Sequence, residues 1–151
     1  MVTIRLATED DIPHILELYH QLAITTSQTE LSRSPSPDDY RRIFAQIRSA
    51  PGHELLVAEH RGEVVGTVVL LIVPNLSHSA SPWALVENLV IDHRHRNRGL
   101  GRMLMEYAIA RARDAGCYRI VLSSDKRRRK AHQFYRSLGF DASAYGFRLY
   151  F

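Results

Sequence analysis

The segment Arg96-Asn97-Arg98-Gly99-Leu100-Gly101 combines residue types that could bind an anion. It joins a run with strand character, Trp83 to Ile91, to a run with helical spacing, Gly99 to Ala115. Glycines let the backbone take unusual dihedral angles and come close to a ligand. Successive N–H groups that enter a helix amino terminus can bind a pyrophosphate, and the helix dipole strengthens that binding. Because Arg96 and Arg98 add positive charge, the segment predicts a phosphate-binding loop.

The alternative for this segment is a strand-to-helix turn whose arginines are simply solvated. Two glycines near the start of a helix are common in proteins of many functions. Other phosphate-binding motifs do not fit, since the sequence has no Gly-x4-Gly-Lys-Ser/Thr and no full Gly-x-Gly-x-x-Gly after its first strand.

The formal charge of +4, with 20 Lys and Arg against 16 Asp and Glu, suits an anionic ligand, either a nucleotide cofactor or a nucleic acid. The basic residues concentrate in two short blocks, Arg94 to Arg102 and Lys126 to Lys130. No stacking aromatic residues are interleaved with either block, which a single-strand binder would need. Nucleic acid is therefore the less favoured partner.

Apolar periodicity predicts the elements that would position this loop. Ser36-Pro37 marks a helix start, and Gly62 lies in a hairpin connection between two strands. The predicted order is β-α-α-β-β-β-α-β-α-β, with strands at Val2 to Leu6, Leu55 to Glu59, Val64 to Val73, Trp83 to Ile91, Tyr118 to Leu122 and Tyr145 to Phe151, helices after Thr8, after Ser36, at Gly99 to Ala115 and at Lys130 to Leu138, and a further short strand near Phe140.

Helices inserted between strands predict an α+β (mixed α/β) fold around one mixed sheet. Trp83 to Leu122 forms a β-α-β unit, so its two strands should be parallel. At 151 residues and 45% hydrophobic composition, the chain is expected to fold as a single domain, residues 1–151. The strict alternation at Tyr145, Phe147, Leu149 and Phe151 also suggests a homodimer that pairs through sheet edges.

Composition also bears on location and on metals. The longest apolar run, Val64 to Val73, is too short to span a bilayer, and no signal segment opens the chain. Cys117 is the one cysteine, so no internal disulfide forms and a reducing cytoplasm is expected. No metal is predicted, because the histidines lack ligand spacing on a common face.

Two motifs give the chain a family resemblance. Arg96-x-x-Gly99-x-Gly101, preceded by Val86-Glu87-Asn88-Leu89-Val90-Ile91 and followed by a long amphipathic helix, resembles the coenzyme A motif of the GNAT superfamily of N-acetyltransferases. Ala131 to Phe140 is similar to the late helix and following strand of that superfamily. The order of elements matches over nearly the whole chain. The resemblance implies a GNAT-like fold, with a mostly antiparallel mixed sheet, a bulged strand that splays from its parallel neighbour, and helices on both faces.

The resemblance also implies a reaction. A GNAT-like enzyme transfers an acetyl group from acetyl-CoA to a primary amine of a small molecule, and the amine attacks directly in a ternary complex. The superfamily would assign Tyr135 as the acid that protonates the departing thiolate, and Glu87 as the base that deprotonates the substrate ammonium. Main-chain atoms would hold the cofactor along Leu89, Val90 and Ile91 and around the loop of Arg96, Asn97, Arg98, Gly99, Leu100 and Gly101.

Each of these assignments has an alternative. Tyr135 could be a core aromatic, since Phe134 and Leu138 give its helix an apolar face. Glu87 could face water or form a structural ion pair. Arg128 occupies a position where the superfamily commonly has an asparagine that contacts the cofactor. An arginine there could instead meet a coenzyme A phosphate, or it could be one residue of a solvated basic run.

The acceptor remains open at this stage. The alternatives to a small amine are a protein or an aminoacyl-tRNA, and the alternative to an enzyme is a non-catalytic module that binds acyl-CoA or nucleic acid. Specificity loops are expected at Tyr19 to Tyr40 and at Pro74 to Trp83, so the acceptor pocket should draw on both.

Overall fold

The structure of the protein is a computed structural model that describes residues 1–22 and 27–151. Short 3-10 turns at Glu9–Asp11 and His93–His95 precede the first and fifth helices. The strands are β1 (Val2–Leu6), β2 (His53–His60), β3 (Glu63–Val73), β4 (Trp83–Ile91) and β5 (Ile120–Val121), and the helices are α1 (Ile12–His20), α2 (Gln28–Leu31), α3 (Pro37–Ser49), α4 (Ser77–Ala80), α5 (Leu100–Asp114) and α6 (Arg129–Ser137).

The strands form one sheet in the order β1-β2-β3-β4-β5. Strands β1 to β4 are antiparallel to one another in succession, whereas β5 is parallel to β4. A parallel pair needs a long crossover, which here is helix α5. The mixed, mostly antiparallel sheet is therefore confirmed.

Helices cover both faces of the sheet, as predicted. Ile15 and Leu18 of α1 and Phe44 of α3 pack on one face, against alternate residues of β2 and β3 such as Val57 and Val69. On the opposite face the apolar side of α5, together with residues of β2, β3 and β4, forms a second cluster, which includes Leu56, Val68, Val86, Leu104, Met105 and Ala108. Burial on both faces explains why β2 and β3 read as continuous apolar runs instead of alternating ones.

Gly66 of β3 lets helix α5 lie close to the sheet. A Cβ atom at this position would lie 2.6 Å from Ile91 Cδ1 and 3.2 Å from Leu104 Cδ1. The glycine therefore fixes the distance between the end of β4 and the first turns of α5. The segment that joins these two elements is the predicted phosphate-binding loop.

Two predicted strands are absent from the described residues. Residues 145–151 pair with no strand, and neither does the segment near Phe140. The prediction at 145–151 was wrong because β5 stops at Val121 and offers no ladder, so the alternation separates two faces of an extended tail instead. The sheet-edge pairing on which the predicted homodimer depended is thereby lost.

The remaining elements differ from prediction in detail. The one-turn segments α2 and α4 were not predicted, and β5 is shorter than the predicted strand Tyr118 to Leu122. In α4, His78, Ser79 and Ala80 have positive φ angles, so it is a tight left-handed turn. Within the described residues, no helix has the length and apolar character needed to cross a bilayer.

Candidate active site

A β-bulge interrupts the pairing of β3 and β4. Thr67 pairs with Val90 and Val69 pairs with Glu87, so the single residue between them on β3 faces two residues on β4, Asn88 and Leu89. Asn88 has a φ of 55°, in the left-handed region that asparagine tolerates better than most residues. A bulge bends its strand and leaves the extra residue unpaired in the ladder. Backbone groups at this point of β4 are thus free to meet a ligand.

The parallel strands β4 and β5 diverge. β4 and β5 pair only through Ala84 with Ile120 and Leu85 with Val121. Beyond these pairs β4 runs on to Ile91, whereas the chain after β5 leaves the sheet. The splayed parallel pair that the resemblance implied is confirmed, and it opens a cleft in the sheet.

A cavity of about 370 Å³ occupies this cleft. Its lining comes from both arms of the splayed pair and from α1, α2, α6 and the carboxyl-terminal tail. The residues that line it are Tyr19, Leu22, Glu30, Val86, Glu87, Asn88, Leu89, Leu122, Ser123, Ser124, Asp125, Arg128, Tyr135, Arg148 and Tyr150.

The structure brings the two predicted catalytic side chains, Glu87 and Tyr135, into this one cavity. Glu87 is exposed on β4 next to the bulge, and no ion pair joins it to any described residue. Tyr135 is half-buried on α6, and its ring packs against Phe134 and Phe140 with centroids 5.4 and 6.1 Å apart. The neighbouring residue Phe134 packs against helix α5 at Gly101. Tyr135 can therefore pack with its ring and still line the cavity.

Burial raises the pKa of the Tyr135 hydroxyl above its ordinary value of 10. The positive charge of Arg128 partly opposes this shift, and the negative charge of Glu87 adds to it. Tyr135 therefore keeps its proton throughout the neutral range, which a proton donor requires.

Tyr19 closes the cavity from the α1 side. Burial raises the pKa of its hydroxyl, and the neighbouring Asn88 side chain partly opposes this shift. Helix α1 and the bulge of β4 therefore both contribute side chains to the lining of the cavity.

The predicted phosphate loop enters helix α5 through a left-handed residue. Gly99, which precedes the first residue of α5, has a φ of 79°, and Asn97 has a φ of 62°. The first amide of this region to donate to a backbone carbonyl is that of Met103, which donates to Gly99. Among residues 1–22 and 27–151, no acceptor is paired with the amides of 97–101. This row of free N–H groups at the start of a 15-residue helix has the donor set that a diphosphate requires.

Side-chain hydrogen bonds stabilise the segment that joins β4 to α5. Asp92 is buried and accepts hydrogen bonds from the backbone N–H and the guanidinium of Arg94, which lower the pKa of Asp92 to about 2. The Nε atom of Arg96 donates to the carbonyl oxygen of Ile91 at 3.0 Å. Gln21, at the end of α1, accepts from the N–H of His93 at 2.9 Å. Arg96 therefore supports the loop, whereas Arg98 is exposed beside it.

The residues before the loop divide between the core and the cleft. Leu89 lines the cavity, Val90 is buried in the cluster under α1, and Ile91 packs against the cluster under α5. Their side chains thus pack in the core or line the cavity, whereas the resemblance assigns their backbone atoms to the cofactor.

The basic block before α6 is not uniform. Arg127 forms a two-point ion pair with Asp125, with Nε–Oδ1 and Nη2–Oδ2 distances of 2.8 and 2.9 Å. Arg128 is half-buried and lines the cavity close to Tyr135, and its side chain is in no ion pair among the residues described here. Arg128 thus differs from the exposed residues of the basic block by lining the cavity.

Only one of the two predicted acceptor segments contributes to the lining of this cavity. Tyr19 and Glu30 line the cavity, as expected for the first segment, of which residues 23–26 lie outside the described residues. The second segment, Pro74 to Trp83, lies at the opposite end of β4, where Trp83 pairs with Val73, and does not reach the cavity.

Sequence reasoning missed several cavity residues. Arg148 and Tyr150 lie in the segment that was predicted as a strand, and Asn88 was quoted only as part of a motif. The alternation of 145–151 could have identified one face with Arg148 and Tyr150, but nothing in the sequence shows that this face meets the cleft. No group of three or more His, Cys, Asp or Glu within the described part of the chain could hold a metal ion.

Comparisons with known proteins agree with this geometry. The sequence model described as the Acetyltransferase (GNAT) family matches residues 16–140. A glucosamine 6-phosphate N-acetyltransferase from Trypanosoma brucei brucei is 30% identical over 150 residues, which are 97% of this chain and 93% of that protein. An aminoalkylphosphonate N-acetyltransferase from Salmonella typhimurium is 29% identical over 147 residues, 91% of this chain and 93% of that protein.

Solved structures have the same fold. An acetyltransferase from Trypanosoma brucei superimposes with a TM-score of 0.83 at 29% identity and covers 99% of each chain. A glucosamine-6-phosphate N-acetyltransferase from Arabidopsis thaliana gives a TM-score of 0.86 over 100% of this chain and 99% of that one. Its identity is 24%, so this second likeness concerns the fold alone.

Proposed function

The chain belongs to the Acetyltransferase (GNAT) family, and from that premise we propose that it transfers the acetyl group of acetyl-CoA to a primary amine of a small molecule. The amine attacks directly while both substrates are bound. The observation that carries the proposal is the bulge at Asn88, which opens backbone groups of β4 into the same cleft that holds Glu87 and Tyr135.

The loop supports acetyl-CoA as the donor. The free amides of residues 97–101, the left-handed Gly99 and the start of α5 suit the diphosphate of coenzyme A. Acetyl-CoA would supply a thioester, whose carbonyl carbon accepts the amine. The main chain from Leu89 to Ile91 would hold the arm and place an N–H group near the carbonyl oxygen, where negative charge develops in the reaction.

The size of the cleft favours a small acceptor. A cavity of about 370 Å³ is at the lower end of the range for small-molecule sites. The relatives named above act on glucosamine 6-phosphate and on aminoalkylphosphonates, both of which are small amines. A protein or an aminoacyl-tRNA acceptor would have to present its amine on a narrow extended group.

Two side chains would move the protons. An ammonium group must lose a proton before its nitrogen can attack, and Glu87 is the exposed carboxylate at the bulge that would receive it, directly or through water. When the carbon–sulfur bond breaks, the thiolate leaves more easily if it is protonated, and the Tyr135 hydroxyl would donate that proton. Holding both substrates in one site supplies much of the rate acceleration.

The proposal is tested by acetyl transfer itself. The purified protein, acetyl-CoA and a panel of amino acids, amino sugars, amino-sugar phosphates, aminoalkylphosphonates and lysine peptides are combined. Released thiol is measured and acetylated products are identified by mass spectrometry. We expect at least one small amine to be acetylated well above the rate of thioester hydrolysis without amine. A folded protein that binds coenzyme A but acetylates none of them would contradict the proposal.

We also propose that the chain forms a homodimer through the outer face of residues 145–151. Tyr145, Phe147, Leu149 and Phe151 are between 80% and 92% exposed. Four such side chains present roughly 600 Å². A stable interface needs about 800 Å² from each partner, so this face and its surroundings are of the size that a second copy would cover around a two-fold axis.

Sedimentation velocity tests the homodimer. The wild-type protein should sediment as a dimer at micromolar concentration, and Phe147→Asp should sediment as a monomer, because a carboxylate cannot be buried unpaired at the centre of an apolar contact. Leu76→Asp is the matched control, since Leu76 is 95% exposed on a different surface and should leave the dimer intact. A monomeric wild-type protein would refute this interface.

A further inference from the structure

The tail of residues 145–151 borders the cleft, and alternate side chains along it differ in their surroundings, because Arg148 and Tyr150 line the cavity whereas Phe147 and Leu149 are exposed. Gly146 runs beside the chain that follows β5, since a Cβ atom on it would lie 3.6 Å from Ser123 Oγ. The backbone carbonyl of Phe151 accepts a hydrogen bond from the N–H of Thr29 at 3.0 Å. The tail is therefore anchored on both sides of the cavity. Its inner face presents Arg148 and Tyr150 to the cavity.

The Arg148 side chain is held by a hydrogen bond but forms no ion pair within the described part of the chain. Its Nη1 atom donates to the hydroxyl oxygen of Tyr150 at 3.1 Å. The nearby carboxylate of Asp125 is already engaged by Arg127 through two hydrogen bonds. Among residues 1–22 and 27–151, the ion pairs include none that involves Arg148. The guanidinium has five N–H donors, so donors remain for a ligand in the cavity.

The cavity lining carries charges of both signs, since Glu30, Glu87 and Asp125 are acidic and Arg128 and Arg148 are basic. Glu87 lies on β4 at the bulge, where the acceptor amine would be deprotonated, whereas Arg148 lies on a different element, the tail. A guanidinium binds carboxylate, phosphate and phosphonate groups through two parallel hydrogen bonds. A ligand that meets both Glu87 and Arg148 would pair an ammonium group with the first and an oxyanion with the second, in one small molecule.

We propose that the acceptor is an amine that also carries an oxyanion, and that Arg148, held by Tyr150, is the residue that binds this oxyanion. The inference rests on the proposed acetyl transfer and adds to it the class of acceptor. Specificity in this chain then depends on the carboxyl-terminal tail as much as on the segments around α1.

Matched pairs of acceptors test the inference and separate the three oxyanions. The pairs are alanine and alaninamide, 2-aminoethylphosphonate and ethanolamine, and glucosamine 6-phosphate and glucosamine. We expect the wild-type enzyme to prefer the anionic member of at least one pair. In that pair, Arg148→Gln should lower kcat/KM for the anionic member about 30-fold, the loss expected from one charge-assisted contact.

Three further readouts distinguish a specificity role from a structural one. The variant should acetylate the uncharged member within twofold of the wild-type rate, and its KM for acetyl-CoA should not change. Arg148→Lys should recover part of the lost kcat/KM, because it keeps the charge without the planar fork. Arg113→Gln, on the exposed surface of α5, is the matched control and should behave as the wild type.

Equal losses on both members of each pair, or no loss on either, would overturn the inference. So would a raised KM for acetyl-CoA, which would assign Arg148 to a cofactor phosphate. If no amine is acetylated, the proposed function fails, and calorimetry with glucosamine 6-phosphate decides the inference separately. Binding that Arg148→Gln weakens at least tenfold would uphold the oxyanion site, and equal binding, or none, would reject it.

Discussion

Replacing Tyr135 with phenylalanine should lower kcat for acetyl transfer by about 100-fold, the lower end of what a positioned general acid contributes. The substitution removes the hydroxyl that would protonate the thiolate and keeps the ring that packs against Phe134 and Phe140. The melting temperature should therefore stay close to that of the wild type, and the Kd for coenzyme A should stay within twofold of the wild-type value. Initial rates at saturating substrates measure kcat, a coenzyme A titration measures the affinity, and thermal unfolding measures the stability.

The pH dependence adds a second readout for Tyr135. Burial raises its pKa above 10, so the hydroxyl is protonated on both sides of neutrality and the wild-type rate should not decline from loss of this proton below pH 10. Tyr118→Phe is a suitable control, because Tyr118 stacks on His78 at a centroid distance of 3.9 Å and lies outside the cavity. An unaltered kcat in Tyr135→Phe would remove this residue from the mechanism.

The second large effect is expected at Gly99. Valine at this position would have to adopt a φ of 79°, which costs a β-branched residue about 1–2 kcal/mol or forces the loop to change. Because each hydrogen bond to a charged group is worth about 1.5–3 kcal/mol, the loss of one or two loop amides should weaken coenzyme A binding about 10-fold or more. Calorimetric titration of Gly99→Val with coenzyme A measures the loss.

Gly116 provides the matched control for Gly99. It follows the other end of α5, has a φ of 81°, and like Gly99 has no atom within 4 Å of a Cβ built on it. Gly116→Val should therefore destabilise the protein by a similar amount in thermal unfolding, yet leave the affinity for coenzyme A unchanged. Equal loss of affinity in both variants would show that the loop has no special part in binding.

Local patterns predicted the elements that lie around the loop. The strand Trp83 to Ile91 was predicted at its observed bounds, and helix α5 differs by one residue at each end. Both have clear signals, because β4 is apolar on either side of Glu87 and Asn88 and a helix that ends before Gly116 has a favourable cap. The order β4, loop, α5, β5 then fixed the parallel pairing.

Tertiary contacts decided what the local patterns could not. The residues 145–151 alternate as a strand would, but alternation only separates two faces, and a ladder also requires an accessible partner edge. β5 is two residues long, so the tail instead borders the cleft, with Arg148 lining the cavity and Phe147 exposed. No property of Arg148 in the sequence distinguishes it from the other arginines of a basic chain.

The bulge is the least predictable part of the site. Asn88 tolerates the left-handed region, but an asparagine within an apolar strand is compatible with an unbroken ladder as well. Family resemblance, not local pattern, supplied the bulged and splayed strand. Likewise, Glu87 and Tyr135 are 48 residues apart in the sequence, and only the tertiary fold brings them to one cavity.

The position of coenzyme A in a crystal structure of its complex is the most direct test of this account. We predict that the diphosphate oxygens lie within about 3.2 Å of the amide nitrogens of residues 97–101. The thiol-bearing arm should run between β4 and the chain after β5, toward the bulge at Asn88. A diphosphate bound instead to the basic block of residues 126–130, with the amides of 97–101 making no contact to it, would contradict the account.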